Sequence, residues 1–137
     1  MSNKERLFQF FSSHPLMVIS TVDANGKPQS AVVGFGQTEK LELFFGTSNT
    51  TRKYKNLNAN SHVAAVIGWE EATVQYEGEA RELVPGEELE QYKEAYYTKS
   101  PSSRQFGELP DERFFLITPK WIRYTDVKTH EVFEITL

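Results

Sequence analysis

One segment of the chain combines the residue types that bind a phosphate group. It runs from Phe44 to Lys53 and reads Phe-Phe-Gly-Thr-Ser-Asn-Thr-Thr-Arg-Lys. An apolar strand is predicted to end in hydroxyl side chains, and a helix with two cations in its first turn is predicted to follow. Free N–H groups at a helix start, hydroxyl donors and an Arg-Lys pair together neutralise a phosphate. The segment therefore predicts a phosphate site, although an ordinary capped surface helix has the same composition.

The chain lacks other residue patterns that would define its chemistry. The Walker A order Gly-Lys-Thr and the dinucleotide pattern G-x-G-x-x-G are both missing. Cysteine is absent, which excludes disulfides, thiolate catalysis and cysteine-ligated zinc. The histidines at positions 14, 62 and 130 fall in three different predicted elements without metal-ligand spacing, so we expect no metal site. Chemistry must come from other side chains or from a bound cofactor.

Composition indicates one globular domain over residues 1–137. The chain has 39% hydrophobic and 25% charged residues and a formal net charge of −4, which disfavours a nucleic-acid partner. No apolar run approaches the ~20 residues of a membrane span, and the charged N-terminus does not continue into a signal peptide. We therefore expect a cytoplasmic protein without a membrane partner. Its cations Arg52, Lys53 and Lys55 lie in a stretch without acidic residues, from Leu43 to Trp69.

Periodicity predicts many short strands and few helices. Helices are expected over residues 4–12, 51–60 and 85–98. Strands are expected over 16–22, 28–36, 41–46, 62–69, 72–83, 114–118, 121–126 and 131–137, with a hairpin turn at Asp23–Gly26, a bulge near Gly78 and a loop over 100–111. This inventory favours a mainly β fold, an antiparallel barrel with flanking helices, over a doubly wound parallel sheet.

The order of these elements resembles the FMN-binding split β-barrel proteins related to pyridoxamine 5′-phosphate oxidase, from about Leu16 to Asp126. The segments that carry the resemblance are Gly26-Lys27-Pro28, Phe44-Phe45-Gly46-Thr47, Thr51-Arg52-Lys53, Leu57–Val63, Trp69 and Tyr76–Arg81. No single segment is as specific as a set of metal ligands, but their order and separation are. The resemblance implies an antiparallel, Greek-key-like split barrel.

The resemblance also implies FMN as cofactor, bound in the cleft between two subunits of a homodimer. The residues that it assigns to the FMN phosphate are Thr47, Thr51, Arg52 and Lys53. Backbone groups of the second strand would meet the edge of the isoalloxazine ring, at Val32, Val33, Gly34 and Phe35. Thr73 and Tyr124 of the second subunit would approach the flavin. Packing within the barrel is the alternative interpretation for Tyr124, Trp69 and Trp121.

Two departures from the oxidase bear on the reaction. Ala31 stands where the oxidase has an arginine near the flavin, and no arginine-and-histidine segment for gripping substrate follows Tyr124. The resemblance thus implies a flavin-dependent oxidoreductase or reductase of a small molecule rather than oxidation of pyridoxamine phosphate. The alternatives are a flavin-binding module without turnover, as in stress-related members of the group, and a split barrel that binds deazaflavin F420 or haem, for which His14 is a candidate axial ligand.

Overall fold

Antiparallel strands account for most of the architecture in the computed structural model, which describes residues 1–137. The strands are β1 (Leu16–Val22), β2 (Pro28–Gly34), β3 (Gly36–Gln37), β4 (Leu43–Ser48), β5 (His62–Ile67), β6 (Ala72–Glu82), β7 (Glu112–Asp126) and β8 (Val132–Thr136). The helices are α1 (Asn3–Ser12), α2 (Arg52–Ala59), α3 (Glu87–Lys99) and α4 (Arg104–Gly107), with a 3₁₀ turn at Pro101–Ser103. The predicted mainly β fold is confirmed. None of the helices has the length and hydrophobicity needed to cross a membrane.

A single sheet curls so that its two edges belong to consecutive strands. The strand order is β2-β1-β5-β6-β7-β4-β3, and β8 pairs with β7 outside this path. Only Phe35 separates β2 from β3, so the chain itself connects the two edges. The sheet must therefore bend into a barrel. Because β3 has only two residues, β2 also lies next to β4, but no ladder of hydrogen bonds joins β2 to β3 or β4. We call this unpaired line between β2 and the β3–β4 edge the seam.

The interior of the curled sheet is apolar and densely aromatic. Alternate residues of β6 point inward, and Tyr76 is completely buried. Its hydroxyl donates to the carbonyl oxygens of Leu41 (2.8 Å) and Ile117 (3.3 Å), and burial raises the pKa of the phenol. Phe45 and Phe115 stack in the same core, with ring centroids 5.6 Å apart. A buried phenol with two acceptors fixes β6 against its neighbours at no cost in unsatisfied polar groups.

Helix α3 covers the outer face of β4 and β7. Phe44 and Phe114 are stacked with centroids 5.1 Å apart, and Tyr96 meets Phe44 edge-on. These rings form a second buried cluster with Leu116 and Tyr97. Because β4 and β7 are buried on both faces, they are rigid supports for the loops at their ends.

One predicted break in the sheet does not exist. Residues 114–118 and 121–126 were expected as two strands, but β7 runs without interruption from Glu112 to Asp126. Pro119 lies opposite Gly78, and the pairing shifts register between Glu77 and Gly78 at a bulge. A proline is tolerated there because the bulge already interrupts the ladder. A side chain at position 78 would collide with the carbonyl oxygen of Thr118.

Two further segments differ from the sequence-based expectation. The strand expected over residues 41–46 is β4, and it begins at Leu43 rather than at residue 41. Leu41 instead has a left-handed backbone (φ 65°) and lies in a turn closed by the hydrogen bond from its N–H to the Thr38 carbonyl oxygen. The expected loop over 100–111 contains the 3₁₀ turn and α4. Gly107 of α4 packs directly against the hydroxyl of Tyr97, a tertiary contact that local sequence does not reveal.

Lys99 joins α3 to α1 and β3 through a half-buried ammonium group. Its Nζ donates to the Phe11 carbonyl oxygen (3.1 Å) and to Gln37 Oε1 (2.6 Å), and it lies 3.6 Å from the centroid of the Phe35 ring. No carboxylate forms an ion pair with it. Burial lowers the pKa of Lys99 to about 8.

We expect this lysine to make stability rise with pH in the mildly alkaline range. Its pKa in the folded chain, about 8, is below the ordinary 10.5, so the unfolded chain binds more protons between these values and the free energy of unfolding increases there. Urea denaturation at pH 7.5 and 9.5 should show a rise that is smaller in Lys99→Met by about 1 kcal/mol, allowing for solvent screening. Lys40→Met, at an exposed position, is the control, and an identical rise in all three proteins would contradict the assignment.

Candidate functional site

The start of α2 is built by a cluster of hydroxyl groups at the end of β4. Thr51 caps the helix, since its Oγ1 accepts from the backbone N–H of Tyr54 at 3.3 Å. The same hydroxyl donates to the carbonyl oxygen of Ser48 (3.0 Å) and lies 2.9 Å from Oγ1 of buried Thr47. Thr51 has one proton to give, so the proton in the Thr47–Thr51 bond comes from Thr47. The two threonine hydroxyls therefore hold the turn between β4 and α2 in place, and they also lie at the start of the helix.

The loop before α2 is also held by the beginning of β7. The Ser48 hydroxyl donates to Asp111 Oδ2 at 2.8 Å, and the Asn49 N–H donates to the Asp111 carbonyl oxygen at 2.9 Å. The N–H groups of Arg52 and Lys53, in the first turn, have no acceptor within the protein. A rigid loop thus presents two free N–H donors at the positive end of a helix.

These donors face a cleft between α2 and the edge strand β2. We call it the β2–α2 cleft; it has a volume of about 310 Å³ and is lined by Gln29, Ser30, Ala31, Thr51, Arg52 and Lys53. It lies at the seam where the barrel is not closed by hydrogen bonds. Ala31, where the resemblance places an arginine in the oxidase, lines this cleft. A methyl group at this position leaves the cleft open.

Lys53 carries a charge that the protein compensates only in part. Its side chain is half-buried, and burial lowers its pKa, while the carboxylate of Glu112 acts in the opposite direction. The pKa of Glu112 is raised by burial and by Asp111 and is lowered by Lys53. Lys53 and Glu112 are too far apart to form an ion pair. An anion in the cleft would supply the missing counter-charge.

Strand β2 and the residue that follows it, Phe35, present different groups at the four positions assigned to the flavin ring. Val32 is 60% exposed, Val33 packs against the core, and Phe35 is fully buried. A Cβ on Gly34 would lie 2.6 Å from the Tyr96 hydroxyl, so the missing side chain there accommodates α3. Because β2 is an edge strand, its outward backbone groups have no strand partner and are free to bind a ligand.

Thr73 and Tyr124 do not line the cleft within one chain. Glu112, which interacts with Lys53 of the cleft, begins β7, and Tyr124 is near the other end of this strand. The length of strand between them is roughly 40 Å, at about 3.3 Å per residue. Thr73 pairs with Thr125 beside it. Tyr124 stacks on Phe133, with centroids 4.9 Å apart. One chain therefore does not bring these residues together with the phosphate-binding candidates.

Sequence reasoning missed two polar side chains next to the cleft. Asn56 is 5% exposed, and its Nδ2 donates to Thr21 Oγ1 and to Gln29 Oε1, both at 3.0 Å. Gln29 in turn donates from Nε2 to Asp23 Oδ2 at 3.4 Å. An asparagine beside Leu57, on the buried side of a short helix, is a signal that the sequence contains, but its partners on β1 and β2 are visible only in the fold.

A second cavity, of about 480 Å³, contains His14 and is here called the His14 cavity. Three aromatic residues also line it, Phe10, Trp69 and Tyr124. Three carboxylates line it as well, those of Glu70, Glu71 and Asp126. The Nδ1 of His14 is 2.6 Å from the Phe10 carbonyl oxygen, so Nδ1 carries the proton and Nε2 is an unpartnered acceptor. No group of three His, Cys, Asp or Glu side chains is arranged to hold a metal ion.

An antiparallel barrel open along one seam, with a helix start facing the seam, defines the split-barrel class. The sequence profile of the family described as pyridoxamine 5′-phosphate oxidase matches residues 4–126, and the chain belongs to this family. The pyridoxine/pyridoxamine 5′-phosphate oxidase of Chromobacterium violaceum is 29% identical over 99 residues, which are 71% of this chain and 44% of that protein. The chain thus spans about half the length of the curated relatives it matches.

Solved structures share the fold at low sequence identity. A haem binding protein from Mycobacterium smegmatis has a TM-score of 0.85 at 16% identity, covering 99% of this chain and 58% of the other. General Stress Protein 26 from Bacillus anthracis has a TM-score of 0.75 at 23% identity, covering 98% and 100%. At these identities the similarity establishes the fold and leaves the ligand open.

Substitution of Thr51 should reveal how much the helix start depends on its cap. Thr51→Val keeps the shape but removes the oxygen that accepts from Tyr54, so we expect a loss of about 1 kcal/mol in the free energy of unfolding. Thr51→Ser retains the oxygen and is the matched control. Chemical denaturation of both variants is the measurement, and equal stabilities would show that the hydroxyl does not hold the site.

Proposed function

We propose that the protein binds FMN, with the phosphate in the β2–α2 cleft. The supporting observation is the convergence, at the barrel seam, of two free N–H donors with the side chains of Arg52 and Lys53. The donor set matches a phosphate monoester because it combines a helix N-terminus with a guanidinium and an ammonium. The hydroxyls of Thr47 and Thr51 hold this arrangement in place and face the same helix start.

The isoalloxazine ring would extend from the cleft along β2. The edge strand offers unpaired backbone N–H and C=O groups, which match the alternating donors and acceptors of the flavin pyrimidine ring. The contributions of Gly34 and Phe35 are limited to their backbones, because Gly34 faces Tyr96 and the Phe35 side chain is in the core. Val32 supplies an exposed apolar surface for the ring.

A flavin ring that lies along β2 needs a protein surface against its other face. A second copy of the chain would provide that surface. Val32, Val18 and Val66 form one row across β2, β1 and β5 in the observed register, on the outer face of the sheet. Ser20 and Ser30 form the neighbouring row and bond to each other at 2.7 Å. A flat face of small and apolar side chains favours a self-complementary interface. This homodimer is the arrangement in which Thr73 and Tyr124 of the partner would approach the ring.

The bound flavin would supply the redox chemistry, and the chain would supply binding and electrostatics. The Ser30 hydroxyl on β2 bonds to the Ser20 hydroxyl and to no base, so we assign no catalytic side chain. We propose an oxidoreductase or reductase of a small molecule. Reduction of the bound flavin by NADH or NADPH, followed by reoxidation with added acceptors, distinguishes such an enzyme from a flavin-binding module without turnover.

Haem is the second candidate ligand, because His14 offers an unpartnered Nε2 inside an aromatic cavity. A neighbour in structure is described as a haem binding protein. The carboxylates of Glu70, Glu71 and Asp126 line the same cavity and would repel the haem propionates. The charge distribution therefore favours an anionic ligand in the β2–α2 cleft. A Soret band lost in His14→Ala would reverse this preference.

Removing the two cations should separate phosphate binding from ring binding. In Arg52→Ala/Lys53→Ala we expect FMN affinity to fall at least about tenfold, since each charge-assisted bond contributes about 1.5–3 kcal/mol before solvent screening. Riboflavin affinity should change by less than about threefold, because riboflavin has no phosphate. Fluorescence titration measures both ligands. Lys40→Ala/Lys128→Ala, at exposed positions, is the charge-matched control, and equal losses for FMN and riboflavin would refute the phosphate assignment.

A charge on the valine row should dissociate the dimer. Native mass spectrometry of the wild type should give a dimer with two FMN, and Val32→Asp should give monomers without FMN, because a buried unpaired carboxylate is costly. Val84→Asp, at a position 76% exposed between β6 and α3, should remain a loaded dimer. Circular dichroism checks that both variants fold. A wild-type monomer that retains FMN would eliminate the two-subunit site.

A further inference from the structure

The β2–α2 cleft does not end at the phosphate-binding candidates. Another cavity, of about 280 Å³ and separate from the His14 cavity, adjoins the cleft. The cleft and this cavity share Gln29 and Arg52 as lining residues. We call it the hairpin cavity, since it lies between α2 and the β1–β2 turn. Its lining residues are Asp23, Ala24, Asn25, Gln29, Arg52, Lys55, Asn56 and Ala59. Ligand atoms beyond a phosphate at Arg52 would enter this cavity.

The hairpin cavity is lined by a buried asparagine, Asn56, whose amide oxygen has no partner in the protein. The orientation of Asn56 follows from its partners: Gln29 donates to the Asp23 carboxylate, so Gln29 Oε1 is the acceptor for Asn56 Nδ2. The Oδ1 of Asn56 has no hydrogen-bond partner, although the residue is only 5% exposed. No fully enclosed side-chain oxygen or nitrogen lacks a partner in this protein. Asn56 Oδ1 is therefore not fully enclosed, and because Asn56 lines the hairpin cavity, this oxygen is a candidate acceptor for a ligand N–H or O–H.

The charges of the hairpin cavity favour an anion next to that acceptor. Arg52 and Lys55 are both exposed cations on α2, and neither forms an ion pair. Asp23 is the one acid in the lining. Its carboxylate is directed into the hairpin, where it accepts from the N–H groups of Asn25 (2.8 Å) and Lys27 (3.0 Å) and from Gln29. The ligand therefore meets two cations and a carboxylate that is already hydrogen-bonded.

We propose that the cleft and the hairpin cavity together bind a flavin whose phosphate is extended to a diphosphate, and specifically FAD. The inference rests on the flavin assignment made above and extends it. The first phosphate would lie at Lys53 and Arg52, the second at Arg52 and Lys55, and Asn56 Oδ1 would accept from a ribose hydroxyl of the adenosine. FMN alone would leave Lys55 and Asn56 Oδ1 without partners. An amide oxygen favours a hydroxyl-bearing sugar over the carboxylates of an acidic tail, such as that of deazaflavin F420.

The test compares four ligands on the whole 137-residue chain freed of any co-purified ligand. Riboflavin, FMN, FAD and F420 are titrated against the wild type, Lys55→Gln and the exposed control Lys40→Gln, with mass spectrometry to verify that FAD stays intact. We expect FAD to bind at least as tightly as FMN. In Lys55→Gln the FAD affinity should fall about five- to tenfold while that for FMN changes less than about twofold. Lys40→Gln should leave every affinity unchanged.

The possible failures have different meanings. If FMN binds and FAD binds at least tenfold more weakly, or if Lys55→Gln weakens FMN as much as FAD, the FAD proposal is wrong and the FMN assignment stands. Preference for F420 over FAD, lost in Lys55→Gln, would also overturn it, since the extension would then be an acidic tail. If neither FMN nor FAD binds more tightly than riboflavin, the phosphate site itself is wrong.

Discussion

The candidate site depends on the position of β2 at an unpaired edge of the sheet. This strand pairs with β1 on one side, and on the other side the barrel seam remains open. The connection through Phe35 keeps the two edges of the sheet close without allowing them to pair. A closed barrel would have used the outward backbone groups of β2 in a ladder, and no polar edge would remain for a ligand.

The charge at the seam is the second constraint. A helix start, a guanidinium and a half-buried ammonium converge there, and Glu112 compensates Lys53 only in part. Desolvating an ammonium without a full partner costs stability, and proteins retain such groups where a ligand supplies the counter-charge. Ala31 and the adjoining hairpin cavity leave room around these cations. The oxidase resemblance accounts for the phosphate-binding candidates, and it does not account for this extra space.

Local patterns were sufficient for most of the elements and for the capped helix start that contains the phosphate-binding candidates. The hydroxyl-rich turn before Arg52 and Lys53 is a cap that short-range hydrogen bonds create, so its residues identify it directly. The break expected at Pro119 shows the limit of this reasoning. Whether a proline ends a strand depends on what lies opposite, and Gly78 is more than 40 residues away in the sequence. Gly34 likewise looks like a place for a ligand until Tyr96 is found against it.

The amino-acid sequence by itself determined the β-rich class, the family and the capped helix start with its two cations, because periodicity, composition and capping are local properties. The tertiary structure alone decided that β2 lies at an open seam, that Asn56 and Gln29 join the hairpin to α2, and that Tyr124 does not line the cleft in its own chain. Each of these depends on which distant segments meet, and the free energy of such contacts is set by packing across the barrel rather than by neighbouring residues.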